Sequence, residues 1–231
     1  MFDRIRSAVQ QDRRFSAWQI TQTKSRSHQR YQALDQVEAR REVSDRRWEV
    51  RVHVVHGDDP NEIGESSFVV THEGAAIVAE LDGAFQRAQL IRNPVWQLPT
   101  PTLAAPAARA QLVDARLVEA PVQVVEEIGS AIAEQVNDDG KSHLAASEVF
   151  CDFAHQRLVN SHGLDVHQDF TKLYTEFAIL APAGIGDEVE SYQNRSARRL
   201  QDLALHDRVA AGIQAAKDTA PPRLPPSGTF D

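Results

Sequence analysis

The sequence predicts an α+β fold in which antiparallel β-meanders are each flanked by helices. Three observations predict it. In Arg47–His56, RWEVRVHVVH, Trp48, Val50, Val52 and Val54 alternate with Glu49, Arg51 and His53, the period of two that gives a strand one covered face. In Ser142–Pro182, Glu148, Phe150, Asp152 and Ala154 alternate with Val149, Cys151, Phe153 and His155, and Asn160-Ser161-His162-Gly163 closes the run as a tight reversal, so this stretch reads as a long hairpin. Between the extended runs, apolar residues recur at helical spacing, and the order helix, meander, helix occurs over residues 2–91 and again over 122–217.

Phe2, Ile5 and Val9 mark a short amphipathic helix at the start of the chain. Trp18–Ser25 alternates as a strand, Gln29–Ser44 is a polar segment with only a weak strand pattern, and Arg47–His56 is a strand. Gly57-Asp58-Asp59-Pro60-Asn61 is a turn, and Glu62–His72 returns as the fourth strand of the first meander. Ile77, Leu81, Phe85 and Leu90 form the stripe of a covering helix between Gly74 and Ile91. Pro94, Pro99, Pro101, Pro106 and Pro121 make the next stretch an irregular crossing, in which Trp96 serves as a packing anchor. Val122, Val125, Ile128, Ile132 and Val136 stripe a second helix, ended by Asn137-Asp138-Asp139-Gly140. The hairpin follows, then a turn at Gly184–Asp187, a strand at Glu188–Arg195 and a helix at Arg198–Ala216 carrying Leu200, Leu203, Val209 and Ile213. The expected organisation is a first unit at 1–92, a Pro-rich crossing at 93–121, a second unit at 122–218 and a stiff Pro-rich tail at 219–231. The repeated order predicts either two similar sheet-plus-helix units or one continuous sheet built from both.

The 231 residues allow one large domain or two of roughly 110–120 residues. A net charge of −8 argues against a nucleic-acid surface, and the pairs Arg40-Arg41, Arg46-Arg47 and Arg198-Arg199 have acidic neighbours that make them solvated faces. Cys151 is the only cysteine, which excludes an intrachain disulfide and predicts a reducing compartment; between Phe150 and Phe153 it reads as a small buried side chain. With no apolar run long enough to span a membrane and no secretory leader pattern, a cytoplasmic location without membrane partners is expected.

A search for chemistry finds no self-contained active site. Neither H-E-x-x-H nor H-E-x-x-x-H occurs, so no helix presents two imidazoles and a carboxylate to a zinc ion. His53 and His56, three apart on a strand, point to opposite faces. His162, Asp165 and His167 gather near the hairpin mouth and are the one candidate polar cluster, with exposed polar residues at a turn as the plainer reading. No G-x-S-x-G elbow, phosphate loop or dinucleotide-binding turn is present, and Gly184-Ile185-Gly186 belongs to turn geometry.

The order of several local motifs resembles the N-terminal domain of the TldD/PmbA family of metallopeptidases. The matching stretches are Ser25–Ala33, SRSHQRYQA; the strand pair around Arg51–Val70; the helix leading into Asn93-Pro94-Val95-Trp96-Gln97-Leu98-Pro99; the N-S-x-G turn at Asn160, Ser161 and Gly163; and the Pro-rich Ser-Gly-Thr-aromatic segment of Pro225–Phe230. The resemblance implies that Asn160, Ser161 and Gly163 are structural positions, and that zinc belongs to a C-terminal domain absent from this sequence. It also implies a zinc-bearing TldD-like partner subunit or a homodimer, and an internal chamber that admits unfolded or extended peptides. Three readings follow: a non-catalytic subunit or N-terminal half of a peptidase assembly; an independent peptide- or protein-binding module; and an enzyme using His162, Asp165 and His167.

Overall fold

The computed structural model describes residues 1–101, 112–183, 187–219 and 227–228. In chain order the elements are α1 (Phe2–Gln11), β1 (Ala17–Ala33), β2 (Gln36–Val55), β3 (Glu62–Val70), α2 (Ile77–Gln89), β4 (Asn93–Pro94), α3 (Ala115–Glu119), α4 (Pro121–Asp138), β5 (His143–Asn160), β6 (Asp165–Pro182), β7 (Glu188–Ala197), a 3-10 turn (Leu200–Leu203) and α5 (Leu205–Thr219). The fold class is α+β, as expected. Among the described residues one antiparallel sheet of seven strands runs in the order β4-β3-β2-β1-β5-β6-β7, so the alternative of a single continuous sheet is the one adopted. The Pro106 region at 102–111, the Gly184-Ile185-Gly186 turn and most of the Pro-rich tail lie outside the described residues.

The first meander differs from expectation in its strand count. Three strands replace four, because the polar segment is part of β1 and β2, which meet at Leu34-Asp35. Leu34 supplies the reversal with φ 52° although it is not glycine, so no residue-type signal marks the turn. Nor does apolar alternation mark the strand. On the last third of β1 the buried alternate positions are His28, Arg30 and Gln32, each no more than 5% exposed.

Two compact units divide the chain, and each takes a share of the long strands. One comprises Met1–Ser25, Ser44–Ala110 and Ala154–Asp169; the other comprises Arg26–Val43, Gln111–Phe153 and Phe170–Asp231. In the first, α1 and α2 lay Ile5, Val9, Ile77 and Leu81 onto Trp18, Ile20, Val50, Val52 and Phe68. In the second, α4 and α5 lay Ile128, Ile132, Val209 and Ile213 onto Val149, Cys151, Leu173, Phe177 and Ile179. Cys151 is buried as expected; its thiol donates to the Leu117 carbonyl at 3.6 Å, and burial pushes its pKa up to about 12, out of reach of thiolate chemistry. Two stripe residues read from the sequence face outward: Leu90, just past the end of α2, and Val122, in the first turn of α4. The last helix is split at Ala204, whose φ of 48° separates the 3-10 turn from α5. No helix among the described residues is long and apolar enough to cross a membrane.

Two glycines set helix-to-sheet distances. In the first unit Gly64 of β3 touches α2 so closely that an added Cβ would stand 1.9 Å from the Ala88 carbonyl oxygen. In the second, the Arg30 guanidinium lies across Gly129 of α4, 2.1 Å from where a Cβ would be. Arg30 is held there by Glu126, 3.3 Å away, which also accepts from Arg40 at 2.6 and 3.0 Å. Gly64→Ala is expected to force β3 and α2 apart and to lower unfolding free energy by roughly 1–3 kcal/mol. Gly57→Ala, where the added methyl meets open space, is the control and should leave the urea midpoint nearly unchanged.

Candidate functional site

The N-S-x-G turn is the best-connected reversal in the first unit, and Asn160 is its hub. Gly163 takes φ 86°, a conformation that glycine adopts without a Cβ clash. Asn160 Oδ1 accepts from the backbone N–H groups of His162 and Leu164 at 2.9 and 3.1 Å, while Nδ2 donates to the Pro99 carbonyl at 2.7 Å. Ser161 clasps the start of β1: its N–H donates to the Trp18 carbonyl at 2.9 Å, and its Oγ accepts from the Trp18 N–H at 3.2 Å. His162 Nδ1 lies 3.1 Å from the Leu98 carbonyl. A carbonyl only accepts, so the geometry assigns a proton to Nδ1.

These contacts anchor the Pro-rich crossing against the turn and leave a cleft of about 410 Å³ between them, lined by His53, Val55, Ile63, Trp96, Leu98 and His162. Trp96 packs edge-to-face on His53 with ring centroids 4.9 Å apart. His53 is 1% exposed, and neither of its ring nitrogens has a hydrogen-bond partner. Burial is the main cause that pushes its pKa below the usual imidazole value; Glu65, 3.9 Å away, opposes the shift and Arg51 adds to it. Alternation placed His53 on the face opposite Val52 and Val54, but could not foresee that the crossing covers that face too.

The structure does not bring His162, Asp165 and His167 together as one group. His162 turns to the crossing segment. Asp165 forms a two-pronged pair with Arg157 at 2.9 and 2.7 Å, and the Arg157 hydrogen bond holds its carboxyl below the ordinary range. His167 lies beside His155, ring centroids 6.0 Å apart, and His155 Nδ1 meets Asp169 at 2.5 Å. Among the described residues no group of three or more His, Cys, Asp or Glu is placed to hold a metal ion. The His155–Asp169 pair spans the two strands of the hairpin, and the sequence pattern did not single it out.

In the second unit, the sheet face opposite α4 and α5 carries half-buried aromatic and acidic side chains. Phe150 meets Tyr174 edge-on at 5.8 Å, and Glu176 accepts from the hydroxyls of Tyr174 and Tyr192 at 2.5 and 2.8 Å. Glu176 raises the pKa of Tyr174, so the phenol stays a donor.

Two outcomes follow from this geometry. Asn160→Ala removes the acceptor of the His162 and Leu164 N–H groups and the donor to the Pro99 carbonyl, and should cost about 1–2 kcal/mol by chemical denaturation, with faster amide exchange at His162 and Leu164. His53 has a folded-state pKa below its unfolded value near 6.5, so the unfolded chain binds the extra proton. Its contribution is constant above about pH 6.5 and turns destabilising as pH falls from there toward the folded pKa, with a limiting slope of about 1.4 kcal/mol per pH unit. Urea midpoints between pH 7.5 and 5.5 should show a shallower loss in His53→Phe than in the parent chain.

The sequence matches no protein-family model and no curated protein. The structure resembles solved structures. TldE from Thermococcus kodakarensis superposes with a TM-score of 0.67 at 19% identity, covering 94% of this chain and 47% of that one. A proposed modulator of a DNA gyrase from Thermotoga maritima gives 0.67 at 13% identity over 99% of this chain and 50% of its own. A proposed modulator of DNA gyrase from Bacteroides thetaiotaomicron gives 0.66 at 12% identity over 89% and 46%. The chain thus spans about half the length of the solved structures it matches. Its α+β fold is TldD/PmbA-like.

Proposed function

We propose that this chain is a non-catalytic subunit, or the N-terminal half of one, in a TldD/PmbA-like metallopeptidase assembly, and that it helps form the chamber admitting extended peptides. The observation that carries the reading is the fold likeness over 89–99% of this chain and only about half of each neighbour. Zinc in this reading is held by a partner subunit. The sheet face bearing Phe150, Tyr174, Glu176 and Tyr192 suits a chamber wall: flat rings give sequence-tolerant contact with peptide side chains, and the phenols and Glu176 supply hydrogen-bonding groups. An extended peptide could pair its main chain with an open sheet edge whatever its sequence.

Gentle affinity capture of the chain from its native source, with mass spectrometry of what co-elutes, tests the assembly. Recovery of a relative carrying a zinc-ligand motif at comparable abundance is expected. Recovery of the chain alone, together with binding of unfolded peptides, would replace the assembly with an independent binding module. A monomer that binds neither relatives nor peptides would sink both.

A further inference from the structure

The chain has three tyrosines, and all three stand on the second unit's sheet face opposite α4 and α5. Tyr31 of β1 alternates with Arg30, which α4 covers, and Tyr174 and Tyr192 donate to one oxygen of Glu176 at 2.5 and 2.8 Å. Carboxylates lie among the rings. On β5 from Glu148 to Asp152, β6 from Lys172 to Leu180 and β7 from Glu190 to Ser196, the positions that alternate with the core carry Glu148, Asp152, Glu176 and Glu190 against a single base, Lys172. Asp165 and Glu126 elsewhere are each matched by arginine, yet among the described residues none of these four carboxylates forms an ion pair. At the centre of the face is a cleft of about 70 Å³ lined by Tyr31, Glu148, Glu176, Ala178 and Tyr192. It is far smaller than the roughly 300–1,000 Å³ of a small-molecule site and matches the head group of one side chain.

We propose that this face docks an extended peptide segment through its lysine or arginine side chains, one of which places its cationic head in the cleft between Tyr31 and Tyr192. Ring faces attract cations, and this face already holds one: the Lys172 ammonium lies 5.6 Å from the centroid of the Tyr174 ring. Both phenols donate to Oε2 of Glu176, which fixes the carboxylate and leaves Oε1 to accept from an incoming cation. Glu148 adds a second carboxylate from β5. The charge balance selects the occupant, since an acidic segment would meet four negative groups against one positive and be repelled. A bare divalent ion would need several of the acids gathered around one point, and among the described residues no three His, Cys, Asp or Glu are so placed. Alternate side chains of an extended peptide point the same way, so a cation at every second residue meets the sheet. That the cation belongs to a peptide rests on the function proposed above; the face's preference for positive charge does not.

Titration of the full chain with three blocked octapeptides, in which alanine alternates with lysine, glutamine or glutamate, tests the face, followed by NMR of the tyrosine ring protons. The lysine peptide should shift the Tyr31 and Tyr192 signals saturably, the glutamine peptide should bind about tenfold more weakly, and the glutamate peptide should leave the signals in place. Glu176→Gln should weaken binding of the lysine peptide by about tenfold, and Tyr192→Ala, at an exposed position on the last strand of the sheet, by about threefold or more. Glu134→Gln removes the same charge from an exposed position on α4, which packs on the other side of the sheet, and should keep the parent affinity. Equal affinity for the lysine and glutamine peptides, no saturable shift with any of the three, or equal losses in Glu176→Gln and Glu134→Gln would overturn the proposal. Calcium ions that saturate the same signals at a lower concentration than the lysine peptide would overturn the choice of a peptide cation. The titration uses no partner and no peptidase activity, so its failure leaves the assembly standing and a missing partner leaves the cationic preference standing.

Discussion

Four strands, β1, β2, β5 and β6, contribute residues to both compact units, and that double duty is the constraint on which the structure depends. Because side chains alternate with a period of two, a one-residue slip would turn every covered side chain of a strand to the opposite face. Register along β1 and β5 is pinned within each unit. Ser161 N–H donates to Trp18 in one, and Leu34 N–H donates to Ala145 in the other, both at 2.9 Å. The partner's number falls as the β1 number rises, as antiparallel pairing requires. Asn160 then fixes the hairpin turn from which β6 takes its own register.

The same constraint explains the polar stretch of β1. Its alternate residues must be covered, yet they are His28, Arg30 and Gln32 where an ordinary strand would carry valine or isoleucine. Coverage is possible because α4 has a glycine at 129, over which the flat Arg30 side chain lies. Its charge is met by Glu126, whose pKa is lowered chiefly by the Arg40 hydrogen bond, with burial opposing. An ion pair of this kind adds little net stability relative to apolar packing, but removing one partner leaves a charge buried alone. Loss of Glu126 would leave Arg30 buried against Gly129 of α4 without its carboxylate.

These features set what could be read from the sequence. The helices, the long hairpin and the strand at Arg47–His56 were legible because apolar periodicity and a glycine turn announce them. The Leu34 reversal was not, since a leucine at positive φ carries no turn signal, and β1 was divided because its covered face is polar. Leu90 and Val122 fit a helical stripe by spacing, but each lies at a helix end where the sheet no longer faces it. Near the site, Asn160, Ser161 and Gly163 were identifiable by turn chemistry, whereas Asp165 and His167 were grouped with His162 by proximity in sequence. Cross-strand geometry separates them instead, handing Asp165 to Arg157 and setting His167 beside His155. His53 was invisible as a site residue because nothing local shows that a crossing segment will cover it.

Both units thus keep a buried imidazole beside a cavity, and among the described residues neither ring nitrogen of His53 nor Nε2 of His28 meets a hydrogen-bond partner. An unpaired buried donor or acceptor costs about 1–3 kcal/mol, a large part of the stability margin of a domain. A leucine or phenylalanine at either position would avoid that cost. The two environments differ. His53 lies under the Trp96 ring with the Glu65 carboxylate 3.9 Å away, and burial favours its neutral imidazole. His28 lies near Arg26 and the first turn of α4. At His53 the cost is set by what covers it: the crossing segment that brings Trp96 over the ring also keeps water from both nitrogens.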